Sequence, residues 1–241
     1  MKVYLSVVIP VYNEAKRIGD TLQTIKPYFD QQGYAYEVIL VDDGSTDNTR
    51  NAVADLIKDW PNYGLVTNYF NQGKGAVVKQ GVMAANGQYV LFIDADNATP
   101  INQLEKFWSH VSNYPVVFGS RHCPGGIVHV AQAKHRIALS RLSNLLIRWL
   151  LLPGIYDTQC GFKLFQNSSA KQIFNLSTID RFGFDFEILA IAKHLGYEAK
   201  EVGVEWYNDP HSKVRAGREA LRTLRDLLKV KWNLLNGVYK E

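Results

Sequence analysis

Only two cysteines, Cys123 and Cys160, occur in 241 residues, and they form neither a CxxC pair nor a metal-ligand spacing. A disulfide-built scaffold and a zinc ribbon are thereby excluded, and a reducing compartment is the default expectation. The six histidines are scattered without HxxxH or HxH spacing, so they read as non-ligands. No segment approaches the roughly 20 consecutive apolar residues that a membrane-spanning helix requires. The opening MKVYLSVVIPVYNE is interrupted by Pro10, Asn13 and Glu14 and lacks a small-residue cleavage site. It reads as a first core strand and not as a signal peptide. Net charge is also scarce: 27 basic against 23 acidic residues leave +4, too mild to argue for nucleic acid. Internal repeats, low-complexity tracts and obvious interdomain linkers are missing. With 46% hydrophobic and 21% charged residues, the chain is globular and long enough to bury a substantial core.

What is present alternates. Leu5–Pro10 is β-branched, and Ala15–Gln32 carries Ile18, Leu22, Ile25 and Phe29 at helical spacing. Glu37–Val41, Leu65–Thr67, Tyr89–Ile93 and Val116–Gly119 read as strands. Asp47–Trp60, Lys74–Ala85 and a segment near Ile101–Val111 read as helices. Repeated βαβ units predict an α/β fold, a Rossmann-like, mostly parallel sheet with helices on both faces. Further along, Ile137–Leu152 and Phe184–Leu195 are expected as helices, and Asp157–Phe165 and Glu198–Val204 as strands. A basic amphipathic helix is expected from about Gly217. Its stripe of Arg218, Arg222, Arg225 and Lys229 runs beside Leu221, Leu224, Leu228, Trp232 and Leu235.

Ligands bind such sheets beyond the carboxyl ends of the strands. Three polar clusters fall there: Tyr12–Glu14, Asp42–Asp47 and Asp94–Asn97. Asp94 and Asp96 close a fully apolar strand, a placement suited to a hard divalent cation such as Mg²⁺ or Mn²⁺. A turn with Asn97 or Thr99 capping a helix is the purely structural reading. Gly44 makes a turn and Ser45 or Asp47 caps a helix, which leaves Asp42 and Asp43 to accept hydrogen bonds from a nucleobase or ribose. Asn71-Gln72-Gly73-Lys74-Gly75-Ala76 lacks the GxxxxGK[ST] pattern. It is either a glycine-rich turn with an exposed lysine or a backbone approach to a nucleotide at a helix N-terminus.

Taken together, Pro10–Glu14, Val41–Asp47, Asn71 with Gly73-Lys74-Gly75, and Asp94-Ala95-Asp96 resemble family 2 glycosyltransferases of the GT-A fold. Gly119-Ser120-Arg121, Asp157–Phe165, Phe184–Glu187 and Ser212-Lys213-Val214 extend the resemblance along the whole chain. They are similar to the dolichyl-phosphate β-glucosyltransferase branch. The resemblance implies a single GT-A domain over 1–241, with a nucleotide-binding half (1–120) and an acceptor-binding half (121–241). It further implies that Pro10, Tyr12, Glu14 and Asp42 hold the nucleoside with Lys74 nearby, and that Asp94 and Asp96 meet the metal on the donor diphosphate. Arg121, Arg136 and Lys213 would grip phosphates. Mannosyltransferase relatives often place a further metal ligand, such as Gln, four residues after the first Asp; here that position is Ala98.

The acceptor follows from charge. A sugar hydroxyl needs a general base, whereas a lipid phosphate is already ionised near pH 7. The QxxRW motif of sugar-polymer synthases is missing around Arg148-Trp149, while Arg121, Arg136, Arg141, Lys213 and Arg215 are available to counter two anionic substrates. Asp157 is a candidate base, an acceptor-orienting group, a turn residue or an arginine partner. The expected reaction is inverting transfer of a sugar, from UDP-glucose, to a polyprenyl or dolichyl phosphate. Rival readings are transfer to a glycan or protein hydroxyl, a GDP-mannose-dependent reaction, and a non-catalytic nucleotide-sugar-binding protein. Amphipathic helices in the second half are expected at the surface of a membrane, its cytoplasmic face, without crossing it.

Overall fold

The computed structural model describes residues 2–129, 134–207 and 216–240, with the backbone alone described at 134–141 and 216–220. The order begins β1 (Leu5–Val11), α1 (Ile18–Asp30), β2 (Tyr36–Asp42), α2 (Thr49–Ile57), β3 (Tyr63–Thr67), α3 (Lys74–Ala84) and β4 (Tyr89–Ile93). A 3-10 turn over Ile101–Leu104, the short α4 (Glu105–Trp108), β5 (Val116–Ser120) and β6 (Ile127–Val128) come next. The chain continues through α5 (Lys134–Leu150), β7 (Phe162–Gln166), α6 (Asn167–Leu176) and α7 (Phe184–His194). It closes with β8 (Ala199–Gly203), β9 (Glu205–Trp206) and α8 (Ala216–Leu235).

Seven strands form one sheet in the order β3-β2-β1-β4-β7-β5-β8, and β6 with β9 makes a separate ribbon. Strand alternation divides the apolar residues between two layers. Leu5, Val7 and Ile9 of β1 join Leu22, Ile25 and Phe29 of α1 on one face. Val8 and Phe92 join Val77 and Val78 of α3 and the buried side of α7 on the other. Strand β7 alone runs antiparallel, to both β4 and β5. It sets Lys163 beside Phe92 and brings the loop before it, Asp157–Gly161, to the carboxyl end of β4.

The structure departs from the expected elements in three places. Asp157–Gly161 is a loop and not the start of a strand, because Glu201 of β8 accepts the amides of Tyr156 and Asp157 and draws the chain out of the sheet. The segment near Ile101–Val111 divides into the 3-10 turn and α4. Helix α6 has no counterpart in the sequence reading, since Asn167-Ser168-Ser169 reads as a turn. Burial of Ala170, Ile173 and Phe174 overrides that composition.

The N-terminal turn of α7 is held by a carboxylate. Glu187 is fully buried and accepts the Thr178 and Ile179 amides, the Thr178 hydroxyl and the Tyr239 hydroxyl at 2.8–2.9 Å. Asn233 of α8 bonds the same tyrosine, and Lys229 reaches the Thr178 carbonyl. One side chain thus ties α7, the 177–183 loop and the C-terminal segment together. Glu187→Ala leaves several buried donors unpaired and is expected to cost roughly 3 kcal/mol in urea unfolding, against about 1 kcal/mol for Tyr239→Phe.

Candidate active site

The carboxyl ends of β1, β2 and β4 open on a cavity of about 410 Å³. Its wall includes Pro10, Tyr12, Glu14, Lys74, Asp94 and Asp96, so six residues of the sequence-derived set meet in one place. Hydrogen bonds between loops hold them there. Asn13, at φ 54°, accepts the Thr46 and Asp47 amides through Oδ1, and the Glu14 amide donates to Thr49 Oγ1 at 2.7 Å. Glu14 in turn takes both arms of the Arg17 guanidinium at 2.7 and 2.6 Å. This bidentate fork fixes a carboxylate that would otherwise swing freely.

Asp42, expected among the nucleoside contacts, does not reach the cavity. It is fully buried and accepts the Ser45 amide and the Arg50 guanidinium. The next residue, Asp43, lines the wall instead, because successive side chains at a strand end point to opposite sides. Asp43 accepts the Asn71 side chain and the amides of Gln72 and Gly73. Burial raises the Asp43 pKa, and those donors oppose the rise.

The Asn71–Ala76 loop also departs from expectation. Gln72 and Gly73 amides are spent on Asp43, and the Ala76 amide donates to the Asp180 carbonyl at 3.2 Å. Gly73, at φ 107°, admits the 177–183 loop: a Cβ there would lie 2.3 Å from the Asp180 oxygen. The loop is therefore a docking surface for another part of the chain. It is no empty phosphate cradle, and Lys74 is not exposed. Its ammonium reaches Asp94 Oδ1 at 2.7 Å, over the rings of Phe92, Phe182 and Phe184. Burial disfavours that ammonium, but Asp94 outweighs the penalty and the Lys74 pKa is raised.

Asp94 is seated by β7. Its amide donates to the Gly161 carbonyl, and a Cβ on residue 161 would stand 2.0 Å from the carboxylate. Asp96 turns back to accept the Ala98 amide at 3.1 Å. Burial, and then the charge of Asp94, raise the Asp96 pKa. Two hard carboxylates at one strand end fit a divalent cation. Among the described residues no cluster of three or more His, Cys, Asp or Glu could hold one. The buried Asn97 side-chain oxygen in the same turn has no hydrogen-bond partner. A metal here would draw the rest of its shell from phosphate oxygens and water, the usual pattern for Mg²⁺ beside a nucleotide.

Arg121 and Asp157 sit together outside the cavity wall. The guanidinium grips the carboxylate at 2.7 and 2.9 Å, and the Arg121 and Gln159 amides add two more bonds. Burial opposes ionisation of Asp157, but the Arg121 charge and hydrogen bonds overcome it and hold the carboxyl well below the usual range. Such a group is a poor proton acceptor, and in this structure Asp157 is the partner of Arg121. Arg121 lies under the Trp206 ring at 5.2 Å. Beside this pair, burial and then Asp157 push the Cys160 thiol up to about 12, which removes it as a nucleophile. Arg136 lies on α5 with its side chain outside the described residues, as is that of Arg141. Lys213 and Arg215 also fall outside the described residues. The sequence reading included Asn13 only within the Tyr12–Glu14 cluster and missed Arg17, Arg181 and Phe182, all of which line the cavity. Only Asn13 and Arg17 had a local signal, their nearness to Glu14.

The low folded pKa of Asp157 stabilises the fold fully above the unfolded carboxyl value, near pH 4, and this contribution is lost as pH falls toward the folded value. Asp157→Asn is accordingly expected to cost about 3 kcal/mol at neutral pH. The deficit against wild type should shrink in denaturant titrations carried below about pH 4. A deficit that stays constant would contradict the pairing.

Residues 6–174 match the model of Glycosyl transferase family 2. A dolichyl-phosphate beta-glucosyltransferase of Dictyostelium discoideum is 33% identical over 251 residues, covering 99% of this chain and 77% of that protein. The mouse protein of the same name is 34% identical, covering 98% and 77%. Among solved structures, glucosyl-3-phosphoglycerate synthase from Mycobacterium tuberculosis, in complex with Mn²⁺, UDP-glucose and phosphoglyceric acid, superposes with a TM-score of 0.71. The match has 18% identity and covers 95% of this chain and 80% of that one, which establishes a GT-A-like fold. The chain belongs to glycosyl transferase family 2 and is a glycosyltransferase related to the dolichyl-phosphate beta-glucosyltransferases.

Proposed function

We propose that this enzyme transfers glucose from UDP-glucose to a polyprenyl or dolichyl phosphate, with inversion, to give a β-linked lipid-phosphate sugar. The observation that carries the reading is the lock between Arg121 and Asp157. Asp157, the candidate base of the sequence reading, already accepts a guanidinium fork and two amides. That lock favours an acceptor that brings its own negative charge, as a phosphate does at neutral pH. The names of the relatives, dolichyl-phosphate beta-glucosyltransferases, agree with that chemistry.

Residues 1–120 supply most of the donor side, with Arg181 and Phe182 added from the second half, and residues 121–241 supply the acceptor side. Tyr12, Glu14 and Asp43 line the part of the cavity suited to a nucleoside, and Arg17, Lys74 and Arg181 are the cations of the same wall. Asp94 and Asp96 would hold Mg²⁺ or Mn²⁺, which supplies Lewis-acid stabilisation of the leaving diphosphate when bound. Arg121, expected to grip a phosphate, has both arms of its guanidinium on Asp157 and lies outside the cavity wall.

The acceptor is a lipid, and the surface suits one. No described helix is long and apolar enough to cross a membrane. Helices α5 and α8 pack together, and both leave apolar stripes in water: Leu142, Leu145 and Trp149 on α5, and Leu221, Leu224, Leu228, Trp232 and Leu235 on α8. Trp149 is 79% exposed and Trp232 67%, large aromatic area with no protein partner among the described residues. Arg225 and Lys229 lie exposed beside the α8 stripe. Each basic residue contributes about 1 kcal/mol at an anionic surface. We read the pair of helices as resting on the cytoplasmic face of a membrane, where the phosphate of the acceptor meets the site.

Two measurements test this function. A donor panel of UDP-glucose, UDP-N-acetylglucosamine, UDP-galactose and GDP-mannose, with short-chain polyprenyl phosphate and Mn²⁺, should give lipid product from UDP-glucose. Asp96→Asn should lower that turnover by more than about a hundredfold while the fold is kept. Label found only in water-soluble product would overturn the lipid acceptor. In flotation with phosphatidylserine vesicles, Trp149→Ser with Trp232→Ser should release the protein into the aqueous fraction while UDP binding persists.

A further inference from the structure

The cavity holds a cation of its own. Lys74 Nζ sits 2.7 Å from Asp94 Oδ1, on one of the two carboxylates that the metal reading assigns to a divalent ion. Lys74 holds its ammonium 5.2 Å from the Phe92 centroid, 5.8 Å from Phe184 and 5.9 Å from Phe182. Its helix is pinned by the Asp180 carbonyl and by packing of the 177–183 loop on Gly73. The second lysine of this region, Lys163, is committed elsewhere, to Asp185 and to the Cys160 carbonyl at 2.7 Å. Lys163 is wholly buried, whereas Lys74 and Asp94 keep 20% and 32% of their side chains open to the cavity.

A +1 ammonium and a +2 metal cannot share one carboxylate without strong repulsion in a partly buried site. The described residues offer a metal only the two aspartates, with no third acidic, His or Cys group clustered beside them. Most of its shell has to arrive with the nucleotide. Resting on that metal reading, we propose that Lys74 is the resident counter-ion of the Asp94/Asp96 pair. It neutralises Asp94 in the free enzyme and is displaced when metal and donor nucleotide enter together, moving to the donor phosphates. Metal alone then binds weakly, nucleotide and metal reinforce each other, and the reinforcement is equal in both directions. Lys74 is a positioning residue in this account, and it prevents the bare aspartate pair from trapping a cation with no donor.

Free Mn²⁺ counted by electron paramagnetic resonance, with and without UDP, tests the proposal without turnover. Wild-type protein should bind Mn²⁺ weakly alone and roughly tenfold more tightly with UDP. Lys74→Met should bind Mn²⁺ alone about fivefold more tightly than wild type and gain less from UDP. Lys74→Arg keeps the cation and should keep the wild-type pattern. If Lys74→Met does not fold, judged by circular dichroism and urea midpoint, Lys74→Gln is read by the same criteria. Equal or weaker binding of metal alone by the uncharged variant overturns the proposal. If UDP still tightens Mn²⁺ binding and Asp96→Asn abolishes it, that outcome removes the role of Lys74 and leaves the metal reading standing. If neither UDP nor Asp96→Asn changes Mn²⁺ binding, the metal reading falls, and the counter-ion role with it.

Discussion

Negative charge gathered at the carboxyl ends of parallel strands is the constraint around which this structure is arranged. Glu14, Asp43, Asp94 and Asp96 all line one cavity. Like charges about 4 Å apart at a protein surface repel by several kcal/mol, so each carboxylate needs a cation or a set of donors. Arg17 takes Glu14, the Asn71–Gly73 segment takes Asp43, Lys74 takes Asp94, and the Ala98 amide takes an oxygen of Asp96. The antiparallel insertion of β7 makes the arrangement possible. It delivers Gly161, with no side chain to collide with Asp94, and Lys163, which neutralises Asp185 one layer below.

The part of the chain that follows β5 solves a different problem with the same means. Arg121 would be an unpaired buried cation next to Trp206 if Asp157 did not meet it, and Asp157 is carried there by Glu201 holding the Tyr156 and Asp157 amides. A relay of three charged residues therefore shapes the loop between α5 and β7. The Glu187 cluster does the equivalent for the 177–183 loop, which carries Arg181 and Phe182 to the cavity wall. Because Lys229, Asn233 and Tyr239 belong to that cluster, the C-terminal helix is mechanically joined to the cavity wall through one loop.

Much of this was legible in the amino acids alone. Apolar runs ending in carboxylates located β1, β2 and β4 and, from the rule for parallel sheets, the cavity at their ends. Local spacing carried no information on which of two adjacent aspartates faces that cavity, so Asp42 and Asp43 were separable only once the end of β2 was fixed. Long-range pairings were equally silent. Nothing near Asp157 announces Arg121, 36 residues away, and nothing near Lys74 announces that its helix N-terminus is capped by the Asp180 carbonyl. Helix α6 was hidden because its first residues favour turns and its apolar positions acquire meaning only against β7 and α3. The glycines of the Asn71–Ala76 loop were visible as glycines. That they admit a protein loop is a fact of tertiary packing.

Burial sorts the ion pairs into two kinds. Lys163 with Asp185 and Arg121 with Asp157 are almost wholly enclosed. Separating either would strand a charge in the interior, at a cost of several kcal/mol. They are scaffolding, and they hold β7 and the Asp157–Gly161 loop against the end of β4. Lys74 with Asp94 has the same chemistry but opens on the cavity, where an incoming anion could receive the lysine as a cation takes the aspartate. The difference lies in what each partner can meet after the pair parts, not in the strength of the contact. The proposed entry of a divalent ion together with a diphosphate requires one exchangeable pair set among fixed ones, and this fold has both, Lys74 with Asp94 beside Lys163 with Asp185 and Arg121 with Asp157.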